Sequence, residues 1–494
     1  MMKEKKDFKQ EYESIKVEHI FKSQEDKSER WEKNIERHPL RSNFQRDRDR
    51  ILYSRAFRRL SGKTQVFRTG NDDHIRTRLT HTLEVSQIAR TISKELGLDE
   101  DLTEAIALGH DLGHTPFGHV GERTLNQIMN GSYIIEDFNK EILKKGFKHN
   151  LQSARVVNEL EEVPLYLTKE TIFGIMHHSS MCYKECDNLD FYDYVINGID
   201  NAKNWSLEAL VVAMADEIAQ RHHDIEDAIE FKIISQTNLY NTINECFGTI
   251  IEENPSHHDT LEKIRNNKTD KYEMISNFSK FIVDFLTTDL INESKKNIIE
   301  MKNKFEIKSS DDFYSKKAKI YNDVTTFSKE DKKNYIFNVI KFSDKVKKGD
   351  KELQRFLKNR ILKSFEAQRM DGLGSYIIKK LFEAYTYNPQ QLNDKTIKIL
   401  NKNLHNRIQS KNSDKCNLIK GIEILEKTLE CTKDTEDVGE IRNVIQELHY
   451  EIKDENSEVN KIYKDVLLRT ICDYIAGMTD SYALNEHKVL YNRN

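Results

Sequence analysis

Four side chains in this sequence are of the types that hold a divalent metal ion: His81, the adjacent pair His110 and Asp111, and Asp216. Two imidazoles and two carboxylates suit a borderline ion such as Mn²⁺, Fe²⁺, Co²⁺ or Zn²⁺, and Mg²⁺ stays open as well. Four protein donors leave positions for water and a phosphate oxygen, as a hydrolytic centre requires. His110 and Asp111 lie in 105-AIALGHDLGHTPFGHVGERTL-125. There Gly109, Gly113, Gly118, Gly121 and Pro116 crowd into thirteen residues of a chain with 18 glycines and 5 prolines in all. Neighbours on a regular helix point in different directions. The glycines at 109 and 113 permit the bend that lets both side chains approach one ion, and Pro116 is expected to end the helix. His114, His119 and Glu122 fall within the same bent stretch.

Helices must position these groups. In 79-LTHTLEVSQIARTISKEL-96, Leu79, Leu83, Ile88, Ile92 and Leu96 recur at helical spacing, and His81 shares an inward stripe with Val85, Ile88 and Ile92. The segment 206–231 reads as a second long helix, capped by Ser206 with Glu208 in its first turn. On it Val212, Asp216, Ala219 and His223 share a face, which places a carboxylate in an apolar stripe. Such a group needs a partner or a metal. Polar loops are expected at 254-NPSHHD and 308-KSSDD, and an exposed connection at 401-NKNLHNRIQSKNSDKCN-417. Gly-flanked alternating runs are nearly absent, so an all-α fold is expected.

Composition narrows the classes. At 494 residues and 37% hydrophobic, the chain can bury a large core. Its Gly and Pro contents lie below the usual shares of about 7% and 5%, which again favours helix. The net charge of −4 gives no global attraction to nucleic acid or membrane. No apolar run reaches the length of a transmembrane helix, and the charged start MMKEKKDFKQEYESIK lacks the apolar core of a secretory signal. The six cysteines are scattered apart from Cys182 and Cys186, which lack a second pair for a zinc knuckle. Reduced thiols and a cytoplasmic location are the expectation.

The order H…HD…D resembles the HD-domain phosphohydrolases. Flanking stretches narrow the resemblance to the deoxyguanosine triphosphate triphosphohydrolase (dGTPase) family: 46-RDRDRILYSRAFRRLSGKTQVF-67, 76-RTRLTHTLEVSQIAR-90, 109-GHDLGHTPFGHVGE-122, 214-MADEIAQRHHDIEDA-228 and 473-DYIAGMTDSYAL-484. These span nearly the whole chain. The resemblance implies an HD-domain helical core with added N- and C-terminal helices. It implies hydrolysis of dGTP or another dNTP between the 5′-oxygen and the α-phosphate, releasing deoxynucleoside and intact triphosphate. One divalent ion per subunit would sit on His81, His110, Asp111 and Asp216. His119 and Glu122 match a catalytic His–carboxylate pair, which either activates water or protonates the leaving oxygen. His114 matches either a phosphate contact or a supporting hydrogen bond. Arg78, one turn before His81, can reach phosphate bidentately. Gln65 and Val66 match base- and sugar-reading residues, His149 and Asn150 contacts near the phosphates, and Asp224 a sugar 3′-hydroxyl acceptor.

Two positions depart from family habit. Gln220 stands where members carry Tyr, and His177-His178 where they carry Lys-Tyr. His177 is then expected either to meet phosphate with a pH-dependent charge or to pack behind the pocket. The expected division is an N-terminal helical segment over 1–74 that reads substrate, an HD core over 75–230, and a C-terminal helical region over 231–494 that closes the site and makes subunit contacts. By the same resemblance, a homo-oligomer (tetramer or hexamer) and regulation by single-stranded DNA are implied. Other HD-domain nucleotide phosphohydrolases, and a nucleotide- or nucleic-acid-sensing protein using the same pocket, are the alternatives.

Overall fold

In a computed structural model, the described residues are 19–32, 35–65, 76–135, 146–179, 192, 197–266, 271–325, 338–413, 432, 435, 437–451 and 458–491. Among them the fold is all-α; the only β pairing is two isolated bridges, Arg30 to Thr168 and Thr64 to Thr77.

The helices that matter to the site are α1 (Asn43–Tyr53), α2 (Arg78–Glu95), α3 (Glu100–Gly109), α4 (Gly118–Met129), α5 (His149–Arg155), α6 (Lys169–His177), α7 (Leu207–Glu230), α8 (Phe365–Tyr387), α9 (Asp394–Ser413), α10 (Glu458–Ala476) and α11 (Asp480–Tyr491). Their starts follow ordinary capping chemistry. Ser42, Thr77, Asp99, Thr168 and Ser206 each accept a backbone N–H of the first turn through the side chain. Ser206 caps α7 as the sequence predicts. Glu208 is more than a first-turn charge. It is buried and accepts from Ser23 N, Ser23 Oγ and Asp99 N, tying the start of α7 to two remote segments.

Two hydrophobic clusters hold the molecule. One joins α1, α2, α3, α6 and α7 to the helices between 236 and 361. The other joins α4 to α8, α9, α10 and α11. The turn 110–117 runs from α3, in the first cluster, to α4, in the second.

Several local expectations are corrected. Leu83 is exposed on α2, because it lies off the stripe formed by His81, Val85 and Ile92. Residues 255–266 form a helix with Pro255 at its first position, where the missing N–H costs nothing. Residues from 310 open another helix, and 394–413 are helical rather than a connection. Polar composition misled there, since a helix with one apolar stripe needs few apolar residues. Cys182, Cys186, Cys416 and Cys431 lie outside the described residues.

Candidate active site

The bend at the HD pair arises earlier than Pro116. Helix α3 closes at Gly109, and His110 continues in the α-region as its C-cap. A Cβ on Gly113 would lie 2.2 Å from Ser153 N and 2.5 Å from the His149 carbonyl oxygen, so only glycine lets this turn rest against α5. Ser153 Oγ clips the two together, accepting from Gly113 N at 2.8 Å and donating to the His110 carbonyl at 2.7 Å. Phe117 and Gly118 both have φ of 62°, which reverses the chain into α4.

His110 Nδ1 donates to the Ala107 carbonyl at 2.6 Å, which fixes the tautomer and leaves buried Nε2 without a partner among the described residues. That nitrogen lies 3.7 Å from Asp111 Oδ2 and 4.0 Å from Asp216 Oδ1. His81 Nε2 is 3.0 Å from the same Asp216 oxygen. The four predicted ligands therefore converge, and His81, His110 and Asp111 have donor atoms all within 4.8 Å of one another. Asp216 is not sealed in its apolar stripe; its side chain is 28% exposed. Neighbouring imidazoles hold its carboxyl below the usual carboxylate range despite burial. The donor set and the orphaned Nε2 fit a divalent ion.

Sequence reading missed what lies behind His81. Its Nδ1 meets His223 Nδ1 at 3.2 Å, and His223 Nε2 meets Glu84. This carboxylate–imidazole chain orients His81 in the manner of outer-shell partners in metal sites. The signal was present: Glu84 is three residues after His81 and His223 seven after Asp216, each on the same helical face. Arg76 and His222 close the network around Glu84 and Glu226.

Glu122 sits one turn from His119, but its shortest bonds go elsewhere. His119 Nδ1 is 3.9 Å from Glu122 Oε2, and the His119 side chain is 55% exposed at the rim. Glu122 Oε1 accepts from His149 Nδ1 at 2.9 Å and from the His149 backbone N–H at 3.0 Å. Burial alone would lower the His149 pKa; the adjacent carboxylate overrides this and holds it above the ordinary value. Glu122 is correspondingly held well below the carboxylate range, against its own burial. The carboxylate is thus shared by two histidines on different helices.

His114 is buried with both ring nitrogens unpartnered among the described residues, and burial next to Arg78 pushes its pKa well below normal. Arg78 donates through Nη1 to Asp111, while Nε and Nη2 have no partner among the described residues. Buried unsatisfied donors are rare and mark places where a ligand supplies the missing atoms. Gln65 likewise has a buried Oε1 with no partner among the described residues. Val66 lies outside the described residues. Asp224 is buried on α7 with Oδ2 unpartnered.

Two substrate expectations change. His177 does not enter the cluster: its ring packs on Phe173 at 4.4 Å and Nε2 lies 3.3 Å from Asn201 Oδ1. The next residue, His178, enters instead, 4.9 Å from the His110 ring and 3.2 Å from His149 by their Nε2 atoms. Consecutive residues at a helix end project about 100° apart, so only one of the pair can face inward. Asn150 turns its Nδ2 to the Met176 carbonyl, so that donor ties α5 to α6 rather than reaching into the site.

The distant C-terminal motif locks the front of the site. Asp480 accepts from Thr64 N at 3.2 Å, Thr64 Oγ1 and Phe117 N at 3.0 Å. Lys63 Nζ donates to the carbonyls of His114 and Ala476. Asp473 binds Gln152, Arg155 and Arg469 in a buried network joining α5 to α10.

The HD domain model matches residues 78–221, and the phosphohydrolase-associated domain matches 340–410 and 439–489. A deoxyguanosinetriphosphate triphosphohydrolase-like protein of Thiobacillus denitrificans is 32% identical over 456 residues, covering 91% of each chain. Proteins of the same description from Neorickettsia sennetsu (34% over 361 residues, 72% of this chain and 81% of the relative) and Geobacter metallireducens (31% over 457 residues, 91% and 88%) are similar. Matched over nearly its whole length by such relatives, the chain belongs to the deoxyguanosinetriphosphate triphosphohydrolase-like family of HD-domain phosphohydrolases.

Proposed function

We propose that this protein hydrolyses deoxynucleoside triphosphates, dGTP foremost, at the bond between the 5′-oxygen and the α-phosphorus. Water adds its oxygen to the α-phosphorus, the 5′-oxygen leaves with a proton, and deoxynucleoside and intact triphosphate result. The observation that carries this reading is the site's imbalance: His114, Arg78 and His110 Nε2 are buried with donors or lone pairs unused, beside carboxylates already engaged. A polyanion with its metal ion supplies the missing partners.

His81, His110, Asp111 and Asp216 would hold one divalent ion, from among Mn, Mg, Fe, Co or Zn. When bound, that ion supplies Lewis acidity toward the phosphate. Arg78 and His114 bind phosphate oxygens through the atoms left free. Glu122 orients His119 and His149, and one of these imidazoles moves the proton at the scissile bond. Gln65 reads the base edge and Asp224 accepts from the sugar 3′-hydroxyl. Residues 1–74 contribute base reading, 75–230 the chemistry, and 231–494 closure and subunit contacts. A cytoplasmic homo-oligomer responsive to single-stranded DNA belongs to the same proposal. No helix among the described residues is long and apolar enough to cross a membrane.

The test is incubation of purified protein with each dNTP and each divalent metal, with products resolved by anion exchange. Triphosphate is the expected product; orthophosphate or pyrophosphate would point to another phosphohydrolase. Asp216→Ala and His110→Ala should lose metal and activity together, and full metal occupancy by elemental analysis in either would overturn the ligand assignment.

A further inference from the structure

A cavity of about 380 Å³ lies against the turn that carries the HD pair, and none of the residues proposed above to hold metal or substrate lines it. Its size falls within the range of about 300–1,000 Å³ of small-molecule pockets. Leu112, Gly113 and Gln152 form one wall, so an occupant rests against the turn that follows His110 and Asp111. Leu112, Val156, Leu160, Ile399 and Met478 supply apolar lining. Tyr474 and Tyr482, joined through their hydroxyls at 3.0 Å, border it on the C-terminal side.

One lining residue is a cation without a counter-charge. Arg59 ends the short helix Arg55–Arg59 and lines the cavity. Burial holds its pKa below the ordinary value, yet a guanidinium stays charged in a protein. It makes no hydrogen bond or ion pair among the described residues. The acid that acts on it, Glu161, spends its oxygens on the backbone N–H groups of Ala56 at 2.7 Å and Arg55 at 3.3 Å. The other acids around the cavity are also engaged. Asp473 is held by Gln152, Arg155 and Arg469, and Asp394 by Arg442 at 2.7 Å. Glu162 is shared between Arg55 at 2.5 Å and the lining residue Lys395 at 3.7 Å. Lys398 and Lys402 continue the basic row one and two turns further along α9. A charge withdrawn from water costs free energy until it is paired. A carboxylate, sulfonate or phosphate meets a guanidinium through short, charge-assisted hydrogen bonds.

We propose that this cavity binds a small organic anion, its single anionic head paired with Arg59 and its compact apolar body seated among Leu112, Val156, Leu160, Ile399 and Met478. One interior cation in an otherwise apolar lining matches a single anionic head and an apolar body, and does not match a triphosphate. The proposal concerns a site separate from the one under Proposed function and does not depend on that reading.

The experiment is calorimetric titration of the full chain with two probes that share one ring system. 8-Anilino-1-naphthalenesulfonate carries an anionic head; N-phenyl-1-naphthylamine is the same body without it. The wild type should bind one sulfonate probe per chain, at least about tenfold tighter than the neutral one. Arg59→Met, which keeps an apolar stem and removes the charge, should weaken the sulfonate probe by about tenfold or more and leave the neutral probe unchanged. Ile399→Trp, which fills the cavity, should abolish saturable binding of both. Lack of a saturable site in the wild type, equal affinity for the two probes, or sulfonate binding undisturbed in either variant would overturn the proposal. Should Arg59→Met fail to fold, the two-probe comparison on the wild type and the Ile399→Trp titration still decide.

Discussion

Asp224 offers a quantitative test of the environment around α7. The residue is 5% exposed and its Oδ2 finds no partner among the described residues. Burial pushes its pKa up to about 6, against an ordinary 3.8; Arg221 and Lys358 pull the other way but do not pair with it. Arg221 is already committed to Asp350, at 2.7 and 3.2 Å. An acid whose folded pKa is raised releases its proton in the unfolded chain first. Stability is therefore complete below about pH 3.8 and is lost as pH rises through about 6. At about 1.4 kcal/mol per pH unit, the cost reaches about 3 kcal/mol above the folded pKa. Asp224→Asn removes it. Nearby Asp227, pushed up to about 7 by burial and then by Asp224, should relax in the same direction. The assay is urea unfolding of wild type and variant in EDTA, so that metal binding does not shift with pH. The variant's advantage should grow from about 0.6 kcal/mol near pH 4 to about 3 kcal/mol near pH 7.5. A stability difference independent of pH would refute the argument, because Asp224 would then be partnered or hydrated.

Three further outcomes are expected. Glu122→Gln should keep metal content but slow turnover by about 10²–10⁴-fold, since two imidazoles lose the carboxylate that orients them; a normal kcat would demote Glu122 to a structural brace. His223→Ala should weaken metal affinity by about 10–100-fold, measured by competition with a chelating dye, because His81 loses its oriented partner; unchanged affinity would remove the outer chain from the account. Asp473→Ala should destabilise the fold by about 3–5 kcal/mol in denaturant titration, because the buried network loses the carboxylate that Arg155 and Arg469 share, and Arg155 keeps Glu159 alone as an acidic partner. A loss below 1 kcal/mol would show that water replaces the carboxylate.

The sequence by itself was enough to read the all-α fold and to single out His81, His110, Asp111 and Asp216 as candidate metal ligands. Periodicity placed His81 on the inward face of α2, a cap placed the start of α7, and glycines announced the turn at 109–113. Each is a local property, set within a few residues by backbone sterics or one side-chain hydrogen bond. The family resemblance likewise rested on contiguous motifs, and chain-length relatives bear it out. Tertiary structure decided which atoms meet. Glu122 bonds to His149, 27 residues away, rather than to its helical neighbour, because α5 docks against the turn. His178 rather than His177 faces the cluster, because one helix end can turn only one of two consecutive side chains inward. Asp480 closes on Thr64 across 416 residues, a pairing set by the packing of α11 and by no local rule. Sequence spacing fixes directions along a helix, whereas the docking of helices fixes distances between them, and the chemistry of this site depends on those distances.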